Sequence, residues 1–456
     1  MSTRHPSVPV PQPAHAGSAE VTVISCFAEP APASLENHRH YAFAHGYRHC
    51  WIDMSSGPRG PQLQALHRYE CLLAALDAAA ENHLVLLLTE NAAVVWPVAL
   101  SRLMEGRDRL LVATSPACVQ HNVQVWRNTP AARACVRGLA AQCRLGGEAF
   151  VSESQLLDAV PALPWYETID GVYAVMPAGP NVDPRWSVVP AFAISLDAAM
   201  HSPPELGIVP RFRDALFGHI NHCQLRGEAL FDAAALPGDI APMPERSTFQ
   251  PGHRIALVTL YTPDIACYGR IAEDSFRRYC ERHGYTLYVH RDMPQEVGLP
   301  GTGNWLKPWL LHAYLAHHEW VIWVDADVLI ADHDQPLEPL LAERTQWLAK
   351  DIGQWPFNAG VMGFRRTDAN LAMLAALMQR IAALPDRSGV YTGNGDQFYF
   401  IEVMRQHNLL DEDLIDSPLL LNTPWFMRGP RSFIVHYFGM WTQMRALMMA
   451  HDDRRS

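Results

Sequence analysis

EWVIWVDADVLIAD, residues 319–332, sets an uninterrupted apolar run against a pair of carboxylates. A strand buried on both faces reads as such a run, as in a parallel sheet covered by helices. Asp325 and Asp327 stand two residues apart at its end, and on a continuing strand that spacing points both side chains to one face. The carboxyl ends of strands are where open α/β sheets bind ligands. Two hard oxygen ligands, with water and a diphosphate completing the shell, suit Mg²⁺ or Mn²⁺. Short acidic pairs are also common in solvated loops, but the apolar run before this one puts it at the edge of a core.

Working outward, the chain says much the same thing twice. Residues 34–53, SLENHRHYAFAHGYRHCWID, parallel residues 274–292, DSFRRYCERHGYTLYVHRD. The shared form predicts a helix, a Gly at its C-terminal stop (Gly46, Gly284), then a strand. Each copy follows a β-rich run, EVTVISCF (20–27) and RIALVTLY (254–261). Each precedes a second helix and strand, LHRYECLLAAL then HLVLLLTEN against WLKPWLLHAYL then EWVIWVDAD. WRNTPAARACVRGLAAQ (126–142) resembles FRRTDANLAMLAALMQR (364–380), and SESQLLDAVPAL is matched to NGDQFYFIEVM with Gln155 against Gln397. Strands alternating with helices predict an α/β fold with mostly parallel, doubly wound sheets. The expected organisation is a disordered leader over 1–19, a first domain over 20–225, a Pro-rich linker over 226–251 and a second domain over 252–450.

Composition limits the function classes. The chain has 456 residues, too many for one ordinary core, with 49% hydrophobic residues and a formal charge of −11. Nothing makes the basic stripe a nucleic-acid binder needs. Nine cysteines without CxxC spacing predict reduced thiols and a cytoplasmic protein, with Cys71, Cys267 and Cys280 as small core residues. The 22 histidines include no HExxH and no zinc spacing. No run approaches the roughly 18 to 20 apolar residues that span a bilayer, which leaves peripheral membrane contact as the only membrane role.

Further polar segments follow at expected sheet ends: PFNAGVMGFRR (356–366), GDQFYF (395–400) and VHYFG (435–439). Together with the SFRRYCERHGY helix and NWLKPWLLHAYLAHHEWVIWVDADVLI, these ordered motifs resemble GT-A nucleotide-sugar glycosyltransferases. They are most similar to glycosyltransferase family 34, whose members include retaining xylosyl-, galactosyl- and mannosyltransferases, and the likeness covers roughly residues 253–445. The resemblance implies two tandem GT-A-like, Rossmann-like domains, the second catalytic. It implies a UDP- or GDP-sugar donor and a glycan, lipid-linked glycan or protein hydroxyl as acceptor. Asp325, Asp327 and His436 would hold Mn²⁺ or Mg²⁺. Thr259 and Tyr261 would lie on the nucleotide-base side, Lys307 and Gly439 near the diphosphate, and Ala326 among the donor-binding residues. Asn358 and Gly360, with Asp396 and Gln397, would lie beneath the donor sugar, the last two shielding its cationic centre. The family often carries a lysine two residues after the HxxG glycine; Trp441 stands there in this chain, and Arg445 is the charge available one turn later.

The first copy carries Thr89-Glu90-Asn91 in place of Asp325-Ala326-Asp327, and Arg68 in place of Lys307. Thr and Asn alone hold a hard cation weakly, so a degenerate domain without metal is expected. Two other readings of the chain stand beside the transferase: a glycan- or nucleotide-binding protein without turnover, and a haloacid-dehalogenase-type phosphatase using a strand-end DxD. The phosphatase places that motif on the first strand of its domain, whereas a strand, a helix and a strand come first here.

Overall fold

The computed structural model describes residues 20–57, 60–95, 98–106, 108–115, 118–146, 150, 152–159, 173–175, 192–196, 208–228, 243–299, 301–353, 355–390, 395–438, 440 and 442–454. The leader expected over 1–19 therefore lies outside the described residues. The chain divides into two compact units, Met1–His201 with Gly207–Ala229, and Ser202–Leu206 with Leu230–Ser456.

In the first unit the order is β1 (Val21–Phe27), α1 (Pro32–Ala44), β2 (Arg48–Asp53), α2 (Pro61–Ala78), β3 (Leu84–Leu88), β4 (Ala92–Val94), α3 (Leu100–Leu103), β5 (Arg109–Ser115), β6 (Cys118–Arg127), α4 (Pro130–Leu145), α5 (Glu153–Ala159), β7 (Tyr173–Val175), β8 (Ala193–Leu196) and α6 (Ile208–Arg226). The second unit runs β9 (Arg246–Phe249), β10 (Ile255–Leu260), α7 (Ala266–His283), β11 (Thr286–His290), α8 (Lys307–Leu315), β12 (Trp320–Val324), β13 (Val328–Ile330), α9 (Glu338–Leu341), β14 (Gln346–Ala349), β15 (Asn358–Arg365), α10 (Asp368–Ala382), α11 (Asp396–Gln406), β16 (Thr423–Pro424), β17 (Ile434–His436) and α12 (Thr442–Asp453).

The first sheet has strand order β2-β1-β3-β6-β5, and the second has β9-β11-β10-β12-β15-β14. Without β9 the two orders correspond strand for strand. Each unit adds a three-stranded sheet, β4-β8-β7 and β13-β17-β16. The sheets are mixed α/β: β1 pairs in parallel with β2 and β3, and β10 with β11 and β12, while β6, β5, β15 and β14 join antiparallel. The parallel part is therefore narrower than the alternation of strands and helices suggests. Hydrophobic periodicity marks a strand but carries no sign of its direction. The predicted linker also contains β9, which pairs antiparallel with β11; its short polar sequence, Arg-Ser-Thr-Phe, gives little strand signal.

Local sequence explains the element boundaries. Gly46 and Gly284 have φ of +67° and +71°, the left-handed backbone that ends a helix without strain only for glycine. Thr129 and Thr367 accept hydrogen bonds from Ala132 N and Asn370 N at 3.1 Å, capping α4 and α10. In the second unit Ala256, Val258 and Leu260 alternate onto the face that buries Leu311 of α8, Leu377 of α10 and Phe400 of α11. This core pins the ends of β10 and β12 and so positions the residues that follow them. Cys280 is buried, while Cys71 and Cys267 are half-buried rather than core; the eight cysteines whose side chains are described are free thiols. Among the described residues no helix is long and apolar enough to cross a membrane.

Buried histidine gives the first unit an acid limit. His38 lies between Ser25 Oγ, 2.8 Å from its Nδ1, and the Ala92 carbonyl, 2.8 Å from its Nε2. Burial pushes its pKa down to about 3. Folded His38 stays neutral where the unfolded chain takes up a proton, so its contribution is present above about pH 6.5 and lost as pH falls. The expected result is a falling first-unit melting temperature between pH 6.5 and 4, with a slope of up to about 1.4 kcal/mol per pH unit from this group. Differential scanning calorimetry checks it: His38→Gln should flatten the slope, and an equal slope in both proteins would exclude His38 as its source.

Candidate active site

The second unit gathers its polar residues past the carboxyl end of β12. Asp325 donates its backbone N–H to the Gly360 carbonyl (2.8 Å), and the Asp327 carbonyl accepts from Tyr437 N (2.8 Å). These bonds place the two aspartates between the start of β15 and the end of β17. His436, on β17, donates Nε2–H to Asp327 Oδ1 at 3.1 Å. The ligand-type atoms of Asp325, Asp327 and His436 all lie within 4.8 Å of one another. The imidazole rests against Gly360: a Cβ there would stand 2.4 Å from His436 Cε1 and 2.7 Å from Nδ1. Only glycine leaves the ring room at that point.

Lys307 is the buried cation of the site. Its ammonium lies 3.0 Å from Asp325 Oδ1 and 3.0 Å from Asp396 Oδ2, with only 3% of its side chain exposed. It also donates to the Ala359 carbonyl at 3.1 Å. Burial alone would lower its pKa, but the Asp325 and Asp396 carboxylates outweigh it and hold Lys307 protonated. Trp323 Nε1 adds a 2.6 Å hydrogen bond to Asp325 Oδ1. Burial pushes the Asp325 carboxyl up, against the pull of Lys307. Burial acts the same way on Asp327, but His436 and Arg445 more than offset it and hold Asp327 well below the usual carboxylate range. Two hard carboxylates and an imidazole form a donor set that fits Mn²⁺ or Mg²⁺.

The remaining expected site residues divide. Gln397 accepts from Ala359 N at 2.9 Å, tying the first turn of α11 to β15 beside Asp396. Asn358 is committed to a local network: Oδ1 accepts from Gly360 N (2.9 Å) and Asn422 Nδ2 (2.7 Å), and Nδ2 donates to Asp351 (3.2 Å). Ala326 is buried between the two aspartates, and Thr259 is buried at the end of β10. Tyr261 is a core residue: its hydroxyl donates to Glu273 at 2.6 Å and its ring fills the space above Gly269. Gly439 and Trp441 lie outside the described residues. Three participants were not expected. Trp323 has a legible signal, since it stands two residues before Asp325, at the end of the same apolar run. Tyr268 and Asn422 have none, because they reach the site from remote elements.

Arg445 of α12 stands 3.2 Å from Asp327 Oδ2. It also donates to Tyr268 OH (3.0 Å) and to the Met440 carbonyl (3.1 Å), and its guanidinium lies 4.8 Å from the centre of the Tyr268 ring.

The first unit fills the same positions differently. Thr89 N–H reaches the Asn122 carbonyl (3.1 Å) as Asp325 N–H reaches that of Gly360, and Leu196 N–H reaches the Asn91 carbonyl (2.7 Å) as Tyr437 N–H reaches that of Asp327. Ser195 pairs with Ala92 as His436 pairs with Val328. Asn122 thus stands where Gly360 leaves space, and its side chain accepts from Thr89 Oγ1 (2.7 Å) and donates to Ser195 Oγ (2.9 Å). A neutral, mutually bonded trio occupies the place of the acidic triad. Arg68 pairs with Glu153, the first residue of α5, as Lys307 pairs with Asp396, the first residue of α11. Glu153 is therefore the spatial counterpart of Asp396; Gln155, matched to Gln397 by sequence, is exposed.

Residues 268–352, from the start of α7 past the two aspartates, match the sequence model of the galactosyl transferase GMA12/MNN10 family. Over that segment the chain is similar to this glycosyltransferase family. No curated protein matches the chain. Among solved structures it is similar to a glycosyltransferase involved in glycosylation of the major capsid of PBCV-1, at 17% identity over 43% of this chain and 98% of that one, with a TM-score of 0.34. The galactosyltransferase LgtC in complex with donor and acceptor sugar analogs shares 13% identity over 43% of this chain and 95% of that one, with a TM-score of 0.30. Apo GlyE of Streptococcus pneumoniae TIGR4 shares 14% identity over 41% and 54%, with a TM-score of 0.28.

Proposed function

We propose that the second unit transfers a sugar from a UDP- or GDP-sugar to a hydroxyl of a glycan, a lipid-linked glycan or a protein. The transfer uses a divalent cation and retains configuration at the sugar. The observation that carries this reading is the convergence of Asp325, Asp327 and His436 within 4.8 Å, at the strand end inside and beside the family segment. The bound cation would neutralise charge on the departing diphosphate.

The chain's own residues do the positioning. Lys307 holds Asp325 and Asp396 at fixed separation, so the metal-side and sugar-side carboxylates stay aligned. Its charge is taken up by these two groups, so it orders the site instead of facing the diphosphate. Asp396, committed to Lys307, stabilises positive charge developing on the sugar and does not attack it. Gln397, fixed to Ala359 N, presents its remaining amide to the sugar. Thr259, buried at the end of β10, faces the nucleotide. The first unit is read as a degenerate copy, because Asn122 ties Thr89 and Ser195 into a closed neutral network where a cation would have to enter. Free thiols support a cytoplasmic location.

Thermal unfolding in UDP or GDP, each with Mn²⁺, Mg²⁺ or EDTA, tests the reading. One nucleotide should stabilise the second unit only with metal, by about 2.7 kcal/mol at a hundredfold excess over its Kd. No stabilisation under any combination would overturn it.

A further inference from the structure

The Arg445–Asp327 ion pair places a fixed positive charge against the candidate metal pocket. A guanidinium 3.2 Å from Asp327 Oδ2 stands beside the oxygens a divalent cation would need. The two cations would lie only about 5 Å apart if the ion bound at the usual ~2.1 Å ligand distance, in a part-buried site where screening is weak. Arg445 is also held by groups other than Asp327. Tyr268 OH and the Met440 carbonyl accept from it, and the Tyr268 ring supports its face. It is therefore a part-buried cation whose anionic partner is also a candidate metal ligand.

We propose that Arg445 is an internal counter-cation that occupies Asp327 in the metal-free protein and passes to the diphosphate when nucleotide and metal enter together. A guanidinium fork matches phosphate oxygens in two-point contact, and Tyr268 is the pivot on which it turns. The diphosphate brings the negative charge that lets the two cations coexist. Metal alone is held weakly, nucleotide alone meets an unmatched pair of carboxylates, and each strengthens the other by the same factor. The first unit shows the alternative outcome. Arg213, on the helix that follows β8, pairs with Glu29 and approaches the neutral Asn91, so it stands beside a residue that no metal would claim.

This inference rests on the transferase reading, and the experiment separates the two. Mn²⁺ binding is followed by the EPR signal of the free ion, without nucleotide and with saturating UDP or GDP, in the full-length protein and in Arg445→Met, Arg445→Lys and Asp327→Asn. Wild type should bind Mn²⁺ about 100-fold more tightly with the preferred nucleotide. Arg445→Met should bind Mn²⁺ alone roughly tenfold more tightly than wild type, yet bind nucleotide with Mn²⁺ roughly tenfold more weakly, so the coupling falls. The opposite signs distinguish the proposal from a structural role, which would weaken both. Arg445→Lys keeps the charge and should keep the weak metal-alone binding. Asp327→Asn, which removes the shared anion, should weaken Mn²⁺ binding in both conditions. Arg445→Met and Arg445→Lys each binding Mn²⁺ alone as wild type does would overturn the proposal while leaving the transferase reading intact. A wild-type protein that binds Mn²⁺ with neither nucleotide would remove both.

Discussion

Asp327→Asn is expected to abolish sugar transfer while leaving the protein folded. The amide keeps an oxygen to accept from His436 Nε2, 3.1 Å from the native carboxylate, and loses only the ion pair of Oδ2 with Arg445. It loses the charge that would hold a divalent cation, and with it the stabilisation of the leaving diphosphate. A fall of at least about 10³-fold in turnover is expected, the size of effect seen when a preorganised charge-stabilising group is lost. The assay is release of UDP or GDP from a panel of nucleotide sugars with acceptor, and circular dichroism confirms the fold. The reverse change in the first unit, Asn91→Asp, should gain no metal binding there, because Asn122 still closes the pocket onto Thr89 and Ser195. Turnover of Asp327→Asn at the wild-type rate would remove metal dependence from the mechanism.

Lys307→Met carries the second large effect, and it is one of stability. The ammonium contacts Asp325 and Asp396 at 3.0 Å each, deep in the unit. Methionine fills similar volume but leaves two carboxylates facing an apolar group. Breaking a buried ion pair by removing one partner costs about 3–5 kcal/mol, because the charge left behind is uncompensated. For a domain of this size that corresponds to a drop of about 10 °C in the melting transition of the second unit. The double variant Lys307→Met/Asp396→Asn should recover part of the loss, since one of the stranded charges goes with the lysine's removal. A melting temperature unchanged in Lys307→Met would show that the cation does not hold the site together. Calorimetry resolves the two units if they unfold separately, which a single-transition fit would hide.

These predictions draw unequally on sequence and structure. The run Trp320–Val324, the glycine stops at Gly46 and Gly284 and the threonine caps at Thr129 and Thr367 are local features, set within a few residues of chain, and each is legible as written. The same holds for the spacing of Asp325 and Asp327 and for their place at a strand end. Other properties depend on partners tens to more than a hundred residues away. The sequence shows Lys307 as a cation near a strand but not that it bridges Asp325 and Asp396, which needs α8, β12 and α11 brought together. It shows Tyr261 at a strand end but not that Glu273 and Gly269 bury it. It shows that Thr89 and Asn91 are poor ligands, yet only the antiparallel register of β3 with β6 sets Asn122 across from Thr89 to seal the first site, as only the packing of α12 sets Arg445 on Asp327. Short-range steric and hydrogen-bonding preferences determined the elements and the chemistry each could offer. Register and packing across distant segments decided which charges meet, because electrostatic partnership depends on distance in space.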